Sequence, residues 1–194
     1  MKSTIVAALS ALSLAAGSAG AATNLLADGD FEAFGPVSGY TTVNGGAALG
    51  AWTVGGTSID LIQGAYNAIN GVSIDLAGSP GPGSLSQSFT AQAGYSYLLS
   101  FDLSNNGGSQ MDVTFGGTTT TFTPTSTTTP YSLAWTAAAS GLQAVVFDSV
   151  QGGNGGPVLD NVVLTVTAVP EPGTYALLLS GLLAVGFVAR RRQA

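Results

Sequence analysis

The chain has 194 residues, ten of them Asp or Glu, four Lys or Arg, and no His or Cys, for a net charge of −6. The missing His and Cys exclude disulfides, zinc and copper sites of ordinary type, and any Ser-His-Asp or Cys-His triad. All four basic residues are terminal (Lys2 and Arg190, Arg191 and Arg192), so the stretch between holds carboxylates and no cation, which excludes a nucleic-acid partner and argues against anionic substrates held by ion pairs.

In chain order, Met1-Lys2 is a minimal basic start, Ile5–Ala16 is apolar, and Ala19-Gly20-Ala21 is a small-residue cleavage site. This is the pattern of a secretory signal peptide over residues 1–22, cut by signal peptidase after Ala21 or Ala22. Residues 23–168 are long enough for one domain with a real core. Val72, Ile74 and Leu76 alternate with Ser73 and Asp75. Leu85, Gln87 and Phe89 alternate with serines. Tyr95, Tyr97, Leu99, Phe101 and Leu103 alternate with Ser96, Leu98, Ser100 and Asp102. Tyr131, Leu133 and Trp135, then Val162, Leu164 and Val166, repeat the pattern. A period of two with one apolar face predicts strands, and the Gly- and Asn-rich breaks between them predict turns. No stretch of 23–168 has a helical period. The expected fold is all-β, a jelly-roll β-sandwich. The Thr-rich run 118–129 reads as an exposed strand and loop with Phe122 at a core position, or as a mucin-like glycosylated segment; the first reading is preferred.

The tail, residues 169–194, has three parts: Val169-Pro170-Glu171-Pro172, an apolar segment Thr174–Ala189, and Arg190-Arg191-Arg192. As a helix the 16 residues of Thr174–Ala189 span about 24 Å, short of the roughly 30 Å of bilayer hydrocarbon. Tyr175 and the arginines can extend the span at the interfaces, so a single transmembrane helix is expected over 174–189. The arginines act as a membrane stop on the cytoplasmic side and place the domain outside. The arrangement resembles the PEP-CTERM sorting signal of Gram-negative bacteria. That resemblance implies recognition of Val169–Pro172 by a membrane exosortase, cleavage, and delivery to the cell surface or extracellular matrix. It covers only the tail.

The domain opens with Asn24-Leu25-Leu26-Ala27-Asp28-Gly29-Asp30-Phe31-Glu32 and closes with Leu159-Asp160-Asn161-Val162. With Trp52, Ser58–Ile62 and Gly71–Leu76 between them, the set resembles the choice-of-anchor surface domains with a galactose-binding-like jelly roll. It is also similar to the wider carbohydrate-binding-module superfamily. The resemblance implies a structural Ca²⁺ where the N-terminal segment meets the last strand, with Glu32 and Asp160 as side-chain ligands and Asp30 as a weaker third. The chain departs from the family pattern at Asp28, where Asn is usual, and at Asn161, where a second Asp is common. Independently, Glu32 and Asp160 adjoin the apolar Phe31 and Leu159, where an unpaired carboxylate is costly and no Lys or Arg can pair with it. The alternative is that both point to solvent.

Glycan binding in such modules uses aromatic platforms. Trp52 and Trp135 read as core anchors, whereas Tyr40 and Tyr66, in expected loops, are the candidate ligand contacts. Paired carboxylates could in principle serve glycoside hydrolysis, and Asp60, Asp75, Asp102 and Asp112 are available. Asp60, Asp75 and Asp102 are expected on outer strand faces, and nothing marks a raised pKa, so a non-catalytic protein is expected. The sequence reading is thus an exported surface or matrix protein that binds glycan or exopolysaccharide. A purely structural coat or biofilm component is the alternative, and a glycosidase ranks behind both.

Overall fold

The computed structural model describes residues 23–107, 110–150, 153–168 and 172–191. The signal peptide, Val169, Pro170, Glu171 and Arg192 lie outside the described residues.

A short 3₁₀ turn, Glu32–Phe34, precedes twelve strands. They are β1 (Gly39–Asn44), β2 (Ala48–Leu49), β3 (Trp52–Gly56), β4 (Ser58–Gln63), β5 (Val72–Asp75), β6 (Gly83–Ala91), β7 (Tyr95–Asn105), β8 (Met111–Phe115), β9 (Thr118–Phe122), β10 (Thr129–Thr136), β11 (Gly141–Ser149) and β12 (Pro157–Ala168). Two six-stranded sheets form the jelly-roll sandwich, one ordered β1-β4-β5-β12-β7-β10 and the other β2-β3-β6-β11-β8-β9. Among the described residues the strands of both sheets pair antiparallel. Pro157 opens its strand and Pro130 lies on the edge strand β10, places where a missing N–H costs no ladder bond.

The core combines inward residues predicted from the alternation with others that it did not mark. Ile59 and Leu61, Val72 and Ile74, Leu99, Phe101 and Leu103, and Leu159 and Leu164 come from the first sheet. Trp52, Leu85, Phe89, Val113, Val145 and Phe147 face them from the second. Trp52 is fully buried, packs on Phe31 and Phe147 with ring centroids 5.8 and 6.3 Å away, and donates its indole N–H to the Asp28 carbonyl at 3.1 Å. Trp135 is half-buried against the same core. Phe122 lies at the end of β9, 4.9 Å from Tyr131 and 5.4 Å from Phe101, so residues 118–122 form a sheet strand. Every residue of this core lies within the sandwich, between Leu26 and Val166.

The N-terminal segment is strapped to β12. Asn24 donates its side-chain amide to the Val162 carbonyl and accepts from the Leu26 and Leu164 amides through Oδ1, at 3.0, 3.1 and 2.8 Å. The buried Gln87 grips Ala27 through both its N–H and its C=O. At Gly29 a Cβ would stand 2.0 Å from the Val162 carbonyl oxygen, so only glycine lets the strap approach this closely. This contact coincides with a register shift in β12 between Asp160 and Val163, where Asn161 takes a left-handed φ of 52°.

The tail forms one helix, α1 (Pro172–Arg191), opening on proline and closing with Arg190 and Arg191 in the last turn, where cations suit the helix dipole. Among the described residues no helix is long and apolar enough to cross a membrane. The expected transmembrane span over 174–189 is therefore not met. The largely apolar stretch Ala176–Ala189, broken by Ser180, would reach only about 21 Å as a helix against roughly 30 Å of hydrocarbon.

Candidate functional site

The strand ladders place polar residues in rows on the side of the first sheet that faces away from the core. One row runs Thr42–Asp60–Asp75–Val158–Ser104 across β1, β4, β5, β12 and β7. Asp60 and Asp75 are Cα partners in adjacent strands. The predicted strand phase is correct, yet neither carboxyl projects into open water: Asp60 is 5% exposed and Asp75 2%. Loops returning over the sheet cover them.

These loops engage the carboxylate oxygens. Asp60 accepts from the Thr42 hydroxyl at 2.6 Å and from the Ser79 amide. Asp75 accepts from the Ala77 and Gly156 amides at 2.9 and 3.0 Å and from the Asn106 side chain at 2.9 Å. Burial pushes the Asp75 carboxyl above the usual range; the hydrogen bonds act against this, and the Asp60 charge adds to it.

Beside this row opens a small cleft of about 80 Å³, continuous with solvent and lined by Tyr40, Asp60, Ile62, Tyr66, Asp75, Ser79, Asn106 and Asn154. Tyr40 and Tyr66, the two sequence-predicted ligand contacts, meet here edge to face with centroids 5.9 Å apart. They are 50% and 45% exposed. Tyr40 differs from expectation in lying within β1 rather than in a loop. Tyr66 is on the β4–β5 loop, where Tyr66 and Asn67 both take left-handed φ, 56° and 60°. Such a backbone is costly for non-glycine residues and has to be held by its surroundings. Here the Asn67 side chain donates to the Asn105 carbonyl at 2.7 Å, and the Ser104 hydroxyl donates to the Asn67 carbonyl at 2.7 Å. The cleft is thus rigidly framed, with two rings at its mouth and acceptors at its floor.

The pair proposed for Ca²⁺ lies at the other end of the β4–β5 loop. Asp160, 1% exposed, accepts from the Asn161 amide through Oδ1 and from the Asn70 amide and Ser73 hydroxyl through Oδ2. Glu32 accepts the Val72 amide at 2.8 Å. Gly71, with φ of 56°, passes so close that a Cβ would stand 1.9 Å from a Glu32 oxygen. Burial raises the Asp160 carboxyl to about 6; its hydrogen bonds oppose the rise, and the nearby Glu32 charge adds to it. The two acids therefore do converge. Asp30 is exposed, and no group of three acidic side chains able to hold a metal occurs among the described residues. The donor set is that of a pair supplemented by Ser73, so a Ca²⁺ here would take the rest of its six to eight oxygens from backbone carbonyls and water. Asn161 donates to Asp102 at 2.8 Å; an Asp at 161 would instead place a second carboxylate against Asp102.

These burials set a pH dependence. Asp160 and Asp75 both have carboxyls raised by burial, so between their unfolded and folded pKa values the folded state binds more protons. Their stabilising contribution is complete below about pH 4 and is lost as pH rises through the folded values, near 6 for Asp160. In chelator, the melting temperature of residues 23–168 is expected to be higher at pH 4.5 than at pH 7.5. Asp160 contributes about 1–2 kcal/mol of this after discounting for solvent screening. A melting temperature that climbs steadily over that range would contradict the assignment.

A family model described as "Protein of unknown function (DUF642)" matches residues 24–165. The chain belongs to the DUF642 family. A second model, the PEP-CTERM protein-sorting motif, matches residues 168–192, and this signal marks the DUF642 protein for export and sorting to the cell surface. No curated protein matches the sequence. Among solved structures, the DUF642 chain is similar to TmCBM61 in complex with β-1,4-galactotriose, at 16% identity over 73% of this chain and 97% of that one, TM-score 0.49. It is also similar to a family 16 carbohydrate-binding module, at 18% identity over 50% and 77% of the chains, TM-score 0.40. A third is the exo-β-1,3-galactanase of Phanerochaete chrysosporium with galactose, at 14% identity over 66% of this chain and 30% of that one, TM-score 0.41.

What the sequence reading missed in the DUF642 domain is the floor and wall of the cleft: Asp60, Asp75, Ser79, Asn106 and Asn154. Asp60 and Asp75 were read as outward positions and as available carboxylates, not as parts of one cleft. Asn106 and Asn154 sit in segments that read as plain turns. No local signal brings them together.

Proposed function

We propose that the DUF642 domain is a non-catalytic glycan-binding module of a surface protein processed by an exosortase in a Gram-negative envelope. The observation that carries this reading is the Tyr40–Tyr66 pair at the mouth of a polar cleft. Exposed rings offer apolar faces to sugar C–H surfaces, while Ser79, Asn106, Asn154 and the aspartates offer partners to hydroxyls. A glycosidase needs one carboxyl free to donate a proton and another free to attack or activate water. Asp60 and Asp75 instead clamp the 77–79 and 153–156 loops to the sheet, which supports binding over hydrolysis. In the cell, signal peptidase removes residues 1–22 and the exosortase acts at Val169–Pro172, leaving the sandwich in an exopolysaccharide matrix or biofilm.

The test is a glycan array probed with residues 23–168 and with the Tyr40→Ala variant. Retention of at least one glycan by the wild type and its loss in the variant is the expected result. An array with no ring-dependent binder overturns the reading and leaves a structural coat protein.

Glu32 and Asp160 are our placement for a structural Ca²⁺. A ligand present at 100 times its dissociation constant adds about 2.7 kcal/mol to stability, so millimolar Ca²⁺ is expected to raise the melting temperature over that in chelator. Glu32→Gln should abolish the rise. Identical melts with Ca²⁺ and chelator would remove the metal from the account.

A further inference from the structure

We propose that the Tyr40–Tyr66 cleft selects a cationic glycan, one whose sugars carry free ammonium groups, over a neutral sugar of the same backbone. The inference rests on the glycan-binding reading and names the class of sugar.

The first ground is the floor of the cleft. Asp60 and Asp75 sit directly opposite one another in adjacent strands and both line it. Two like charges so placed repel, and burial removes much of the water that would screen them. A cation normally relieves such a pair, yet residues 23–168 contain no Lys, Arg or His. The hydrogen bonds they accept come from neutral hydroxyl and amide donors. A carboxylate has about four lone-pair sites; Asp60 and Asp75 line the cavity with capacity left over.

The mouth is the second ground, and it does not depend on the acids. Tyr40 and Tyr66 present half-exposed rings at right angles, 79° between planes. An aromatic face attracts a cation within roughly 6 Å of its centre, and two crossed rings offer such a face in two directions. Ser79, Asn106 and Asn154 supply uncharged hydrogen-bonding groups suited to the remaining hydroxyls. A sugar ammonium brings three donors and a charge into this frame, forming charge-assisted bonds to the floor. A hydroxyl or an acetamido group in its place brings no charge, and the acetamido adds bulk in a small cleft.

The test compares two tetramers of one backbone by isothermal titration with residues 23–168: β-1,4-linked glucosamine and its fully N-acetylated counterpart. Titrations run at neutral pH in low salt, with chelator. The expected result is at least tenfold tighter binding of the glucosamine tetramer, weakened by added salt. The preference should disappear in the Asp60→Asn/Asp75→Asn double variant and in Tyr66→Ala, whose folding is checked by melting. Equal or tighter binding of the acetylated tetramer overturns the inference while leaving the glycan reading intact. Binding of neither tetramer also overturns it, and the array above then decides the glycan reading separately. Binding that requires Ca²⁺ overturns it as well, since the carboxylates would then serve a metal.

Discussion

Replacing both cleft tyrosines, Tyr40→Ala with Tyr66→Ala, is expected to abolish measurable glycan binding while the domain melts within a few degrees of wild type. Each ring is about half exposed and contributes little to the core, so its loss leaves no cavity. Against a bound sugar each ring is worth roughly 1–2 kcal/mol through buried apolar area and stacking. The two together amount to roughly thirty- to several-hundred-fold in affinity. Tyr66→Ala should cost more than burial alone suggests, because Asn67 and Ser104 hold its loop in place before a ligand arrives. Leu142→Ala, an exposed residue of β11 in the opposite sheet, is the control and should change nothing. Titration calorimetry on the best ligand from the array reads the effect. Wild-type affinity in the double variant would move the binding site elsewhere on the molecule.

Trp52→Ala is expected to destabilise the domain by roughly 3–5 kcal/mol, the range for deleting a large buried aromatic. Trp52 sits between Phe31 from the N-terminal strap and Phe147 from β11, and its indole N–H bonds to Asp28 of the strap. Truncation opens a cavity, leaves the Asp28 carbonyl without that donor, and loosens the segment that carries Glu32. For a domain of this size the fall in melting temperature is roughly 10–15 °C. Denaturant unfolding with an unchanged slope should give the same free energy. A loss below about 1 kcal/mol would mean that the strap and β11 pack together without the indole.

Both predictions show where the sequence was legible. Trp52 was read as a core anchor because a tryptophan in a sandwich is more often buried than displayed, and it is fully buried. Tyr95 to Leu103 and Tyr131 to Trp135 fall on β7 and β10 in the predicted phase. Tyr40 and Tyr66 were singled out correctly as exposed rings, although Tyr40 lies in a strand. That strand was not recognised because Gly39-Tyr40-Thr41-Thr42-Val43-Asn44 is an edge strand with few apolar residues, and its period is weak. Asp60 and Asp75 had the right direction and the wrong environment. Facing away from the core ordinarily means facing water, but here loops 64–71, 77–82 and 153–156 fold back over the sheet. The pairing of Glu32 with Asp160 came through a family resemblance, and the structure brings the two acids together without Asp30.

Composition and short-range order were in the sequence alone. The absence of His, Cys, Lys and Arg from residues 23–168 removes whole classes of chemistry whatever the fold. The period of two determines which side chains turn inward, because successive Cβ atoms in a strand point to opposite faces. The sorting tail is a contiguous motif and needs no fold to be read. Tertiary structure alone decided that Tyr66 would meet Tyr40, that Asp60 would lie opposite Asp75, and that both acids would be covered. These facts depend on the register of β1, β4 and β5 and on hydrogen bonds between residues far apart in the chain, such as Gly156 with Asp75 and Asn67 with Asn105. Register and loop closure are set by the packing of the whole sandwich, which favours one alignment over its neighbours only once the buried face is complete.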